Sequence, residues 1–258
     1  MLLALDVGNT HIVIGVFDKN ELFNCWRIQT DRGKTMDEYA LTIKGLLQMN
    51  ALTPPIIRGV GISNVVPTLA PLLEELFIKH FGLKPCFVNL DNRHILPIQF
   101  DIPREVGADL IASAVSALEK FGGPLIIIDF GTATTFSAVS EEGAFLGGAI
   151  AAGLYSSMEG LYLKAPHLPR ITPDKPRGAI GKNTEDSLIS GLVLGQAVMV
   201  DGMVGRFKAE MGERTKVIAT GGLATLIADA SHSIDRVEPY LVLEGIRIIY
   251  ERAELEGS

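Results

Sequence analysis

The chain has 258 residues, of which 47% are hydrophobic and 21% charged, and a formal net charge of −7. This composition predicts a globular protein with a core of its own, and the acidic balance argues against a nucleic-acid-binding surface. Because Cys25 and Cys86 form no C-x-x-C pair, neither a disulfide nor a zinc site is expected, and a reducing, cytoplasmic location fits best.

The first half of the chain begins with strands and continues with helices mixed with strands. Three strands joined by tight turns are predicted at 2–7, 11–17 and 21–28. Further along are a helix at 36–49, a strand at 58–66, a helix at 67–82, a short strand at 85–90 and a long helix at 103–123. No apolar run here or later approaches the ~18 residues that a membrane helix needs, so no membrane partner is expected.

The second half repeats this plan. Strands are predicted near 125–130, 133–140 and 144–151, helices near 153–163, 184–212 and 241–253, and a strand at 216–220. The repeat predicts an α/β protein of two similar halves, residues 1–117 and 118–258. No Pro-, Gly- or Ser-rich linker separates them, so they are expected to share an interface, where ligands commonly bind.

One turn occurs in both halves. Residues 4–18 read ALDVGNTHIVIGVFD and residues 125–139 read LIIIDFGTATTFSAV, so that Asp6 and Asp129 each end a strand and precede Gly8 and Gly131. Backbone N–H groups of a Gly-containing turn bind anions, but the aspartate would repel a phosphate unless a metal ion lay between them. A single copy would indicate only a hairpin. Two copies favour a site for a metal-bound nucleotide. A third segment, KVIATGGLATLIA (216–228), is predicted to form a strand, a Gly-Gly turn and a helix, and we expect this turn to contact the nucleoside.

The segment PREVGADLIAS (103–113) holds a candidate catalytic acid. If the helix begins at Pro103, Glu105, Asp109 and Ser113 are spaced to share one face. A kinase needs a carboxylate that orients the acceptor hydroxyl and accepts its proton, and Asp109 is suited to that role. The alternative is that both acids only favour the helix dipole. Gly107 favours the catalytic interpretation, because a glycine one turn into a helix costs about 1 kcal/mol and suggests that another group packs closely there.

Six segments in this order and spacing resemble the type III pantothenate kinases, within the superfamily of acetate and sugar kinases, Hsp70 and actin. They are DVGNT, PREVGAD, DFGTATT, GGAIAAGL, GKNT and ATGGLA. The resemblance implies two ribonuclease-H-like halves of the actin-like ATPase fold with an active-site cleft between them. It also implies ATP-dependent phosphorylation of pantothenate to 4'-phosphopantothenate, the first step of coenzyme A biosynthesis. The cofactors implied are Mg²⁺ and a monovalent cation, K⁺ or NH₄⁺, and the assembly is a homodimer.

The resemblance also assigns roles to residues. The ATP phosphate loop comprises Asp6, Val7, Gly8, Asn9, Thr10, His11, Ile12 and Val13, with Asp6 facing the Mg²⁺ of the nucleotide. Thr132 is a further ATP contact. The substrate contacts are Phe100, Gly107, Ala108, Asp109, Leu110 and Thr184, with Asp109 as the proton acceptor. Asp129 is the ligand of the monovalent cation, which replaces the second Mg²⁺ that the repeat alone suggested.

Two positions depart from the family pattern. The family commonly has Arg where this chain has Leu110, and an aromatic hydroxyl near Phe100, and Arg104 or Arg170 could replace the missing guanidinium. A kinase for another small hydroxyl compound and a non-catalytic accessory regulator on the same fold therefore remain as alternatives. An aspartic protease does not fit, because it needs Thr or Ser after each aspartate and this chain has many helices.

The segment 184–211 bears on assembly. It is predicted to be a long helix with apolar residues on more than one face. One face would pack on its own subunit and the other on a second copy, although residues 152–180 could cover the second face instead. Thr184 is predicted to cap this helix, with Glu185 and Asp186 in its first turn.

Overall fold

The computed structural model describes residues 1–89 and 96–256. The last residue of the strand predicted at 85–90 lies outside them. Within these residues, ten strands form two five-stranded mixed sheets, and helices follow the strands in sequence. The strands and helices agree closely with the predicted ones, and the differences occur mainly at helix starts.

The first sheet has the order β3-β2-β1-β4-β5. Its strands are β1 (Leu2–Val7), β2 (His11–Asp18), β3 (Glu21–Gln29), β4 (Gly59–Asn64) and β5 (Cys86–Phe87). The helices of this part are α1 (Met36–Met49), α2 (Ala70–Phe81) and α3 (Ala108–Phe121). The strand β1 is buried along its length, and it pairs antiparallel with β2 and parallel with β4.

The second sheet has the order β10-β9-β6-β7-β8. Its strands are β6 (Leu125–Phe130), β7 (Ala133–Val139), β8 (Phe145–Ala152), β9 (Lys216–Gly221) and β10 (Arg236–Val237). The helices of this part are α4 (Leu154–Lys164), α5 (Thr184–Ile189), α6 (Gly195–Met211) and α7 (Ala224–Ala228), and the chain ends in a further helix, α8 (Leu241–Glu256). In the middle of this sheet, β6 pairs antiparallel with β7 and parallel with β9. The two sheets therefore share one topology, which confirms the predicted repeat.

The chain forms two compact units. Unit 1 comprises residues 1–97, 101–116 and 241–258, and unit 2 comprises residues 98–100 and 117–240. The predicted boundary at residue 117 coincides with a change of unit, but the range 118–258 needs a correction. Helix α8 packs against β1 and β4, so the end of the chain belongs to unit 1.

Each unit has its own hydrophobic core. In unit 1, buried side chains of β1, β2 and β4 pack with those of α1 and α2. In unit 2, buried side chains of β6 and β9 pack with those of α4 and α6. Local sequence signals support these helices: Thr35 and Glu38 form a reciprocal capping box at the start of α1, and Gly82 ends α2 in the left-handed conformation.

Two helix starts differ from the prediction. Pro103–Glu105 forms a separate 3₁₀ turn, Val106 is extended, and α3 begins only at Ala108. Glu105 therefore does not share a helix face with Asp109, and that part of the prediction is wrong. At α5 the cap is Asn183, whose side chain accepts the Asp186 N–H at 2.8 Å, and Thr184 is the first helical residue.

The helical stretch Thr184–Met211 is interrupted by a π-helical section, Ser190–Leu194. Contrary to the sequence-based prediction, it is long and apolar enough to cross a membrane by length and composition, with a mean hydropathy of 1.6 over 18 residues. The same property is found in core helices of soluble proteins, and Val193, Ala197 and Val200 of this stretch belong to the core of unit 2.

Candidate active site

The predicted phosphate loop is the hairpin between β1 and β2 in unit 1. It closes with the Gly8 N–H donating to the His11 carbonyl at 3.0 Å, and Asn9 and Thr10 are exposed at its tip. A Cβ on Gly8 would lie 3.1 Å from the same carbonyl oxygen, so the tight closure favours glycine. The structure therefore presents the backbone of this turn to solvent, as an anion site requires.

The segment after β3 braces this tip, which the sequence analysis did not predict. Thr30 donates its hydroxyl to the Gly8 carbonyl at 2.7 Å, and its N–H bonds to the Thr10 carbonyl at 2.9 Å. Arg32 donates a guanidinium N–H to Asn9 Oδ1 at 2.9 Å. The contact brings a positive charge to the turn, where it would favour phosphate.

The second hairpin, between β6 and β7 in unit 2, is one residue shorter. The Gly131 N–H donates to the Ala133 carbonyl at 3.0 Å, and Thr132 lies exposed at the tip. The Thr132 carbonyl accepts hydrogen bonds from the Gly153 N–H at 3.2 Å and from the Ser156 hydroxyl at 2.6 Å. Two loops that look alike in sequence thus differ in length and in the groups that hold them.

Asp129 lies beside two threonines. Its register partners are Thr135 on β7 and Thr220 on β9, and paired residues of neighbouring strands project to one face of the sheet. Thr135 Oγ1 is buried and has no hydrogen-bond partner among the described residues. Gly221, with a φ of +93°, packs so closely under Asp129 that a Cβ there would collide with the carboxylate. A carboxylate beside an unsatisfied hydroxyl is an oxygen-rich setting that suits a hard cation.

Asp6 has a comparable neighbour in unit 1. Its register partner on the parallel strand β4 is Ser63, whose side chain is fully buried and whose Oγ has no partner among the described residues. Buried hydroxyls almost always have a hydrogen-bond partner, so the unpaired hydroxyls of Ser63 and Thr135 each require an explanation. In both sheets the unpaired hydroxyl lies on a strand next to the aspartate that is the next-to-last residue of the central strand.

The candidate catalytic acid, Asp109, is in the first turn of α3 in unit 1. Its Oδ1 accepts the Leu110 N–H at 2.8 Å and lies against the Cα of Gly107, where a Cβ would collide with it. Surrounding protein atoms desolvate the carboxylate and raise its pKa above the ordinary value of 3.8, although two backbone N–H groups act in the opposite direction. A partly buried carboxylate with a raised pKa is a common form of catalytic base.

Beside Gly107 and Ala108, unit 1 has a concave site of about 410 Å³. Its polar lining residues include Asn64, Asn89 and Arg104, and its apolar ones include Val88 and Ile111. A cavity of this size can hold a small organic molecule.

The two other predicted substrate residues, Phe100 and Thr184, lie in unit 2 on separate elements. The Phe100 ring, which is 36% exposed, contacts the edge of the Phe145 ring with centroids 6.5 Å apart. Thr184 is exposed in the first turn of α5. Its hydroxyl does not cap the helix, because Asn183 is the N-cap.

A profile of the type III pantothenate kinases matches residues 2–206. The chain belongs to this family. It is 47% identical to the type III pantothenate kinase of Moorella thermoacetica over 252 residues, which is 98% of this chain and 99% of that protein. Identity with the type III pantothenate kinase of Geobacter sulfurreducens is 48% with the same coverage.

Two solved structures of low sequence identity have a fold similar to that of this chain. A Campylobacter jejuni protein described as a Baf family transcriptional activator superposes with a TM-score of 0.60 at 16% identity, over 98% of this chain and 99% of that one. A propionate kinase of Francisella tularensis superposes with a TM-score of 0.53 at 12% identity, over 97% and 99%. With the two matching sheets, these similarities confirm the predicted α/β fold of actin-like kinases.

Proposed function

We propose that this protein uses ATP to phosphorylate pantothenate to 4'-phosphopantothenate, the first step of coenzyme A biosynthesis. The observation that carries the proposal is the 47–48% identity with curated type III pantothenate kinases over 98% of the chain. The reaction breaks the bond between the γ-phosphorus and the bridging oxygen of ATP and forms a bond from that phosphorus to the acceptor hydroxyl. The hydroxyl proton must leave during this transfer.

Asp109 accepts that proton. Its raised pKa makes the carboxylate a stronger base than an exposed aspartate, and its place in the first turn of α3 fixes its position. Gly107 allows the carboxylate to fold back against the backbone. The Leu110 N–H holds one carboxylate oxygen and leaves the other for the substrate hydroxyl.

The β1–β2 hairpin binds the phosphates of ATP. Its segment Asp6–Val13 supplies the backbone amides of the turn, and Arg32 adds a positive charge at Asn9. Asp6 and the buried Ser63 hydroxyl fit the oxygen-ligand preference of Mg²⁺, which neutralises phosphate charge when bound. In unit 2, Thr132 is the corresponding ATP contact.

Asp129 holds a monovalent cation, K⁺ or NH₄⁺. The fit rests on the unsatisfied Thr135 Oγ1 beside its carboxylate and on Thr220 on the other side. A cation bound there supplies positive charge that partly balances the negative charge of the nucleotide. Asp129 and Thr135 keep the ion in place through oxygen ligands on two adjacent strands.

The protein works as a homodimer in the cytoplasm. Four large apolar side chains of unit 2 are at least 70% exposed: Ile150, Leu163, Ile180 and Val198. We place the interface at these side chains, and a two-fold dimer is the most frequent assembly of soluble oligomers. Since Thr184 begins the helical stretch that contains Val198, substrate binding and dimerisation are linked. The free thiols of Cys25 and Cys86 fit a reducing compartment.

A kinase for a different small hydroxyl compound is the second candidate, because Leu110 and Phe100 both lack a polar group at the substrate positions. The test is ADP release with Mg²⁺ and K⁺ and a panel of acceptors: pantothenate, its primary amide, and unrelated hydroxy acids and sugars. The proposal predicts the highest kcat/KM for pantothenate. A higher value for another acceptor would favour the second candidate, and no turnover with any acceptor would contradict a kinase function.

A further inference from the structure

The concave site of unit 1 lies at the ends of two parallel strands. Asn64 is the last residue of β4, and Asn89 comes two residues after the end of β5. In open α/β sheets, ligands bind outside the carboxyl ends of the strands. The lining also includes Arg104 and Glu105 of the 3₁₀ turn, followed by Gly107 and Ala108. The site is thus adjacent to the residue against which Asp109 packs.

The charges of this lining are sparse. Among its described residues, Arg104 carries the only positive charge and Glu105 the only negative one. Within the parts of the chain that the structure describes, residues 1–89 and 96–256, Arg104 makes no hydrogen bond or ion pair. By contrast, Asn64 and Asn89 of the same lining both interact with other groups. The five N–H donors of Arg104 therefore remain available for a ligand, and a guanidinium binds a carboxylate through two parallel hydrogen bonds.

Asn64 also lines the site, and a hydrogen bond to the backbone just after β4 orients its side chain. Asn64 accepts the Val66 N–H through Oδ1 at 2.8 Å. This bond uses the acceptor side of the amide, so its NH₂ group is the part left to interact with a ligand. The guanidinium of Arg104 and the amide NH₂ of Asn64 both line the site and both donate hydrogen bonds, which selects a ligand with acceptor oxygens.

We propose that Arg104 binds the carboxylate of the acceptor substrate in this site, with Asn64 donating to the same ligand. This inference rests on the proposed function and names a specificity-determining residue for it. Leu110, the next residue after Asp109, brings no charge, so Arg104 is the guanidinium of unit 1 nearest in sequence to the catalytic acid. The substrate then extends from Arg104 past Gly107 and Ala108, and its hydroxyl end reaches Asp109.

The test compares Arg104→Gln with Arg58→Gln, which removes another exposed arginine of unit 1 outside the site. Two ligands are used, pantothenate and its primary amide, which has nearly the same shape and no charge. Calorimetric Kd and steady-state kcat and KM are measured for both. Wild type and Arg58→Gln should prefer pantothenate over the amide by about 10- to 100-fold in Kd and kcat/KM, as expected for a charged hydrogen bond.

Arg104→Gln should lose this preference, mainly through a higher KM for pantothenate, while kcat and the values for the amide change less than about twofold. Arg104→Lys should be intermediate, because it keeps the charge but not the paired geometry. If wild type phosphorylates pantothenate and Arg104→Gln keeps the full preference, the inference is wrong and the proposed function stands. If wild type neither binds nor phosphorylates pantothenate, both are wrong.

Discussion

The carboxylate of Asp109 folds back over Gly107, so that a side chain on Gly107 would occupy the place of the Asp109 oxygen. The same oxygen accepts the Leu110 N–H at 2.8 Å. This contact gives the physical reason for a glycine just before α3. Glycine costs backbone entropy there, but only a residue without a side chain leaves room for the Asp109 carboxylate.

Gly107→Ala is expected to displace the Asp109 carboxylate while leaving the phosphate loop intact. The kcat should fall about 10- to 100-fold, because small displacements of a catalytic group have effects of this order, and nucleotide affinity should be unchanged. The matched control is Gly45→Ala in α1, where a Cβ meets no atom within 4 Å. Steady-state kinetics and nucleotide titration of both variants check this. A Gly107→Ala enzyme with the kcat of Gly45→Ala would show that the contact has no catalytic role.

The raised pKa of Asp109 predicts a pH-dependent effect on stability. Because burial raises the pKa of Asp109 in the folded state, both states are protonated below the unfolded pKa, and the carboxyl group costs no stability there. The cost of the buried charge grows as the pH rises above the unfolded pKa and is complete once the pH exceeds the folded pKa. Asp109→Asn removes this cost. Its unfolding free energy relative to wild type should therefore increase over the range from the ordinary aspartate pKa of 3.8 up to the raised pKa of folded Asp109, and stay constant above it.

Urea denaturation of both proteins across that range measures this difference. Asp101→Asn, which changes an exposed aspartate of unit 1, is the control and should show no such trend. A difference that stays flat, or declines with increasing pH, would mean that burial does not raise the Asp109 pKa.

The internal duplication and the aspartate turns could be predicted from sequence because both depend on local patterns. The apolar runs that end at Asp6 and Asp129 specify buried central strands, and the glycines specify the turns. The roles of Thr30, Arg32, Ser63 and Thr135 could not be predicted. Ser63 and Thr135 lie on strands that neighbour the aspartates, and Thr30 and Arg32 lie in the segment after β3. Pairing and register between strands are tertiary properties that no local pattern encodes.

The helix starts show a second limit. A prediction that began the long helix at Pro103 followed a good N-terminal signal, but the extended Val106 separates a 3₁₀ turn from α3. The 184–211 stretch shows the same limit, since Val193 joins the core of unit 2 from within a section that is not α-helical. The π-helical section Ser190–Leu194 changes the number of residues per turn, so the α-helical spacing does not continue across it.

Thr135→Val should weaken the monovalent cation site at Asp129. The change removes an unsatisfied buried hydroxyl and keeps the shape of the side chain. K⁺ should raise the melting temperature of the wild type relative to a choline buffer of equal ionic strength, and the rise should be smaller by half or more in the variant. Thr225→Val, at an exposed position of α7, is the control. Equal K⁺-dependent shifts in all three proteins would exclude Thr135 as a ligand.

The proposed homodimer would have a mass of about twice 27.8 kDa, measured by light scattering at micromolar concentration. Val198→Glu places a charge on a residue that is 70% exposed and should give a monomer with reduced activity. Met49→Glu, in unit 1 at a residue that is 80% exposed, should remain dimeric. A fully active monomeric wild type would contradict both the interface and its link to Thr184.

Product analysis of wild type and Asp109→Asn tests phosphoryl transfer to pantothenate most directly. Each protein is incubated with ATP, Mg²⁺, K⁺ and pantothenate, and the products are identified by mass spectrometry. The wild type should convert pantothenate to its 4'-phosphate, and Asp109→Asn should bind nucleotide normally but form product about 10²- to 10⁴-fold more slowly, as loss of a general base predicts. Absence of phosphopantothenate with the wild type, or an unchanged rate with Asp109→Asn, would contradict the account.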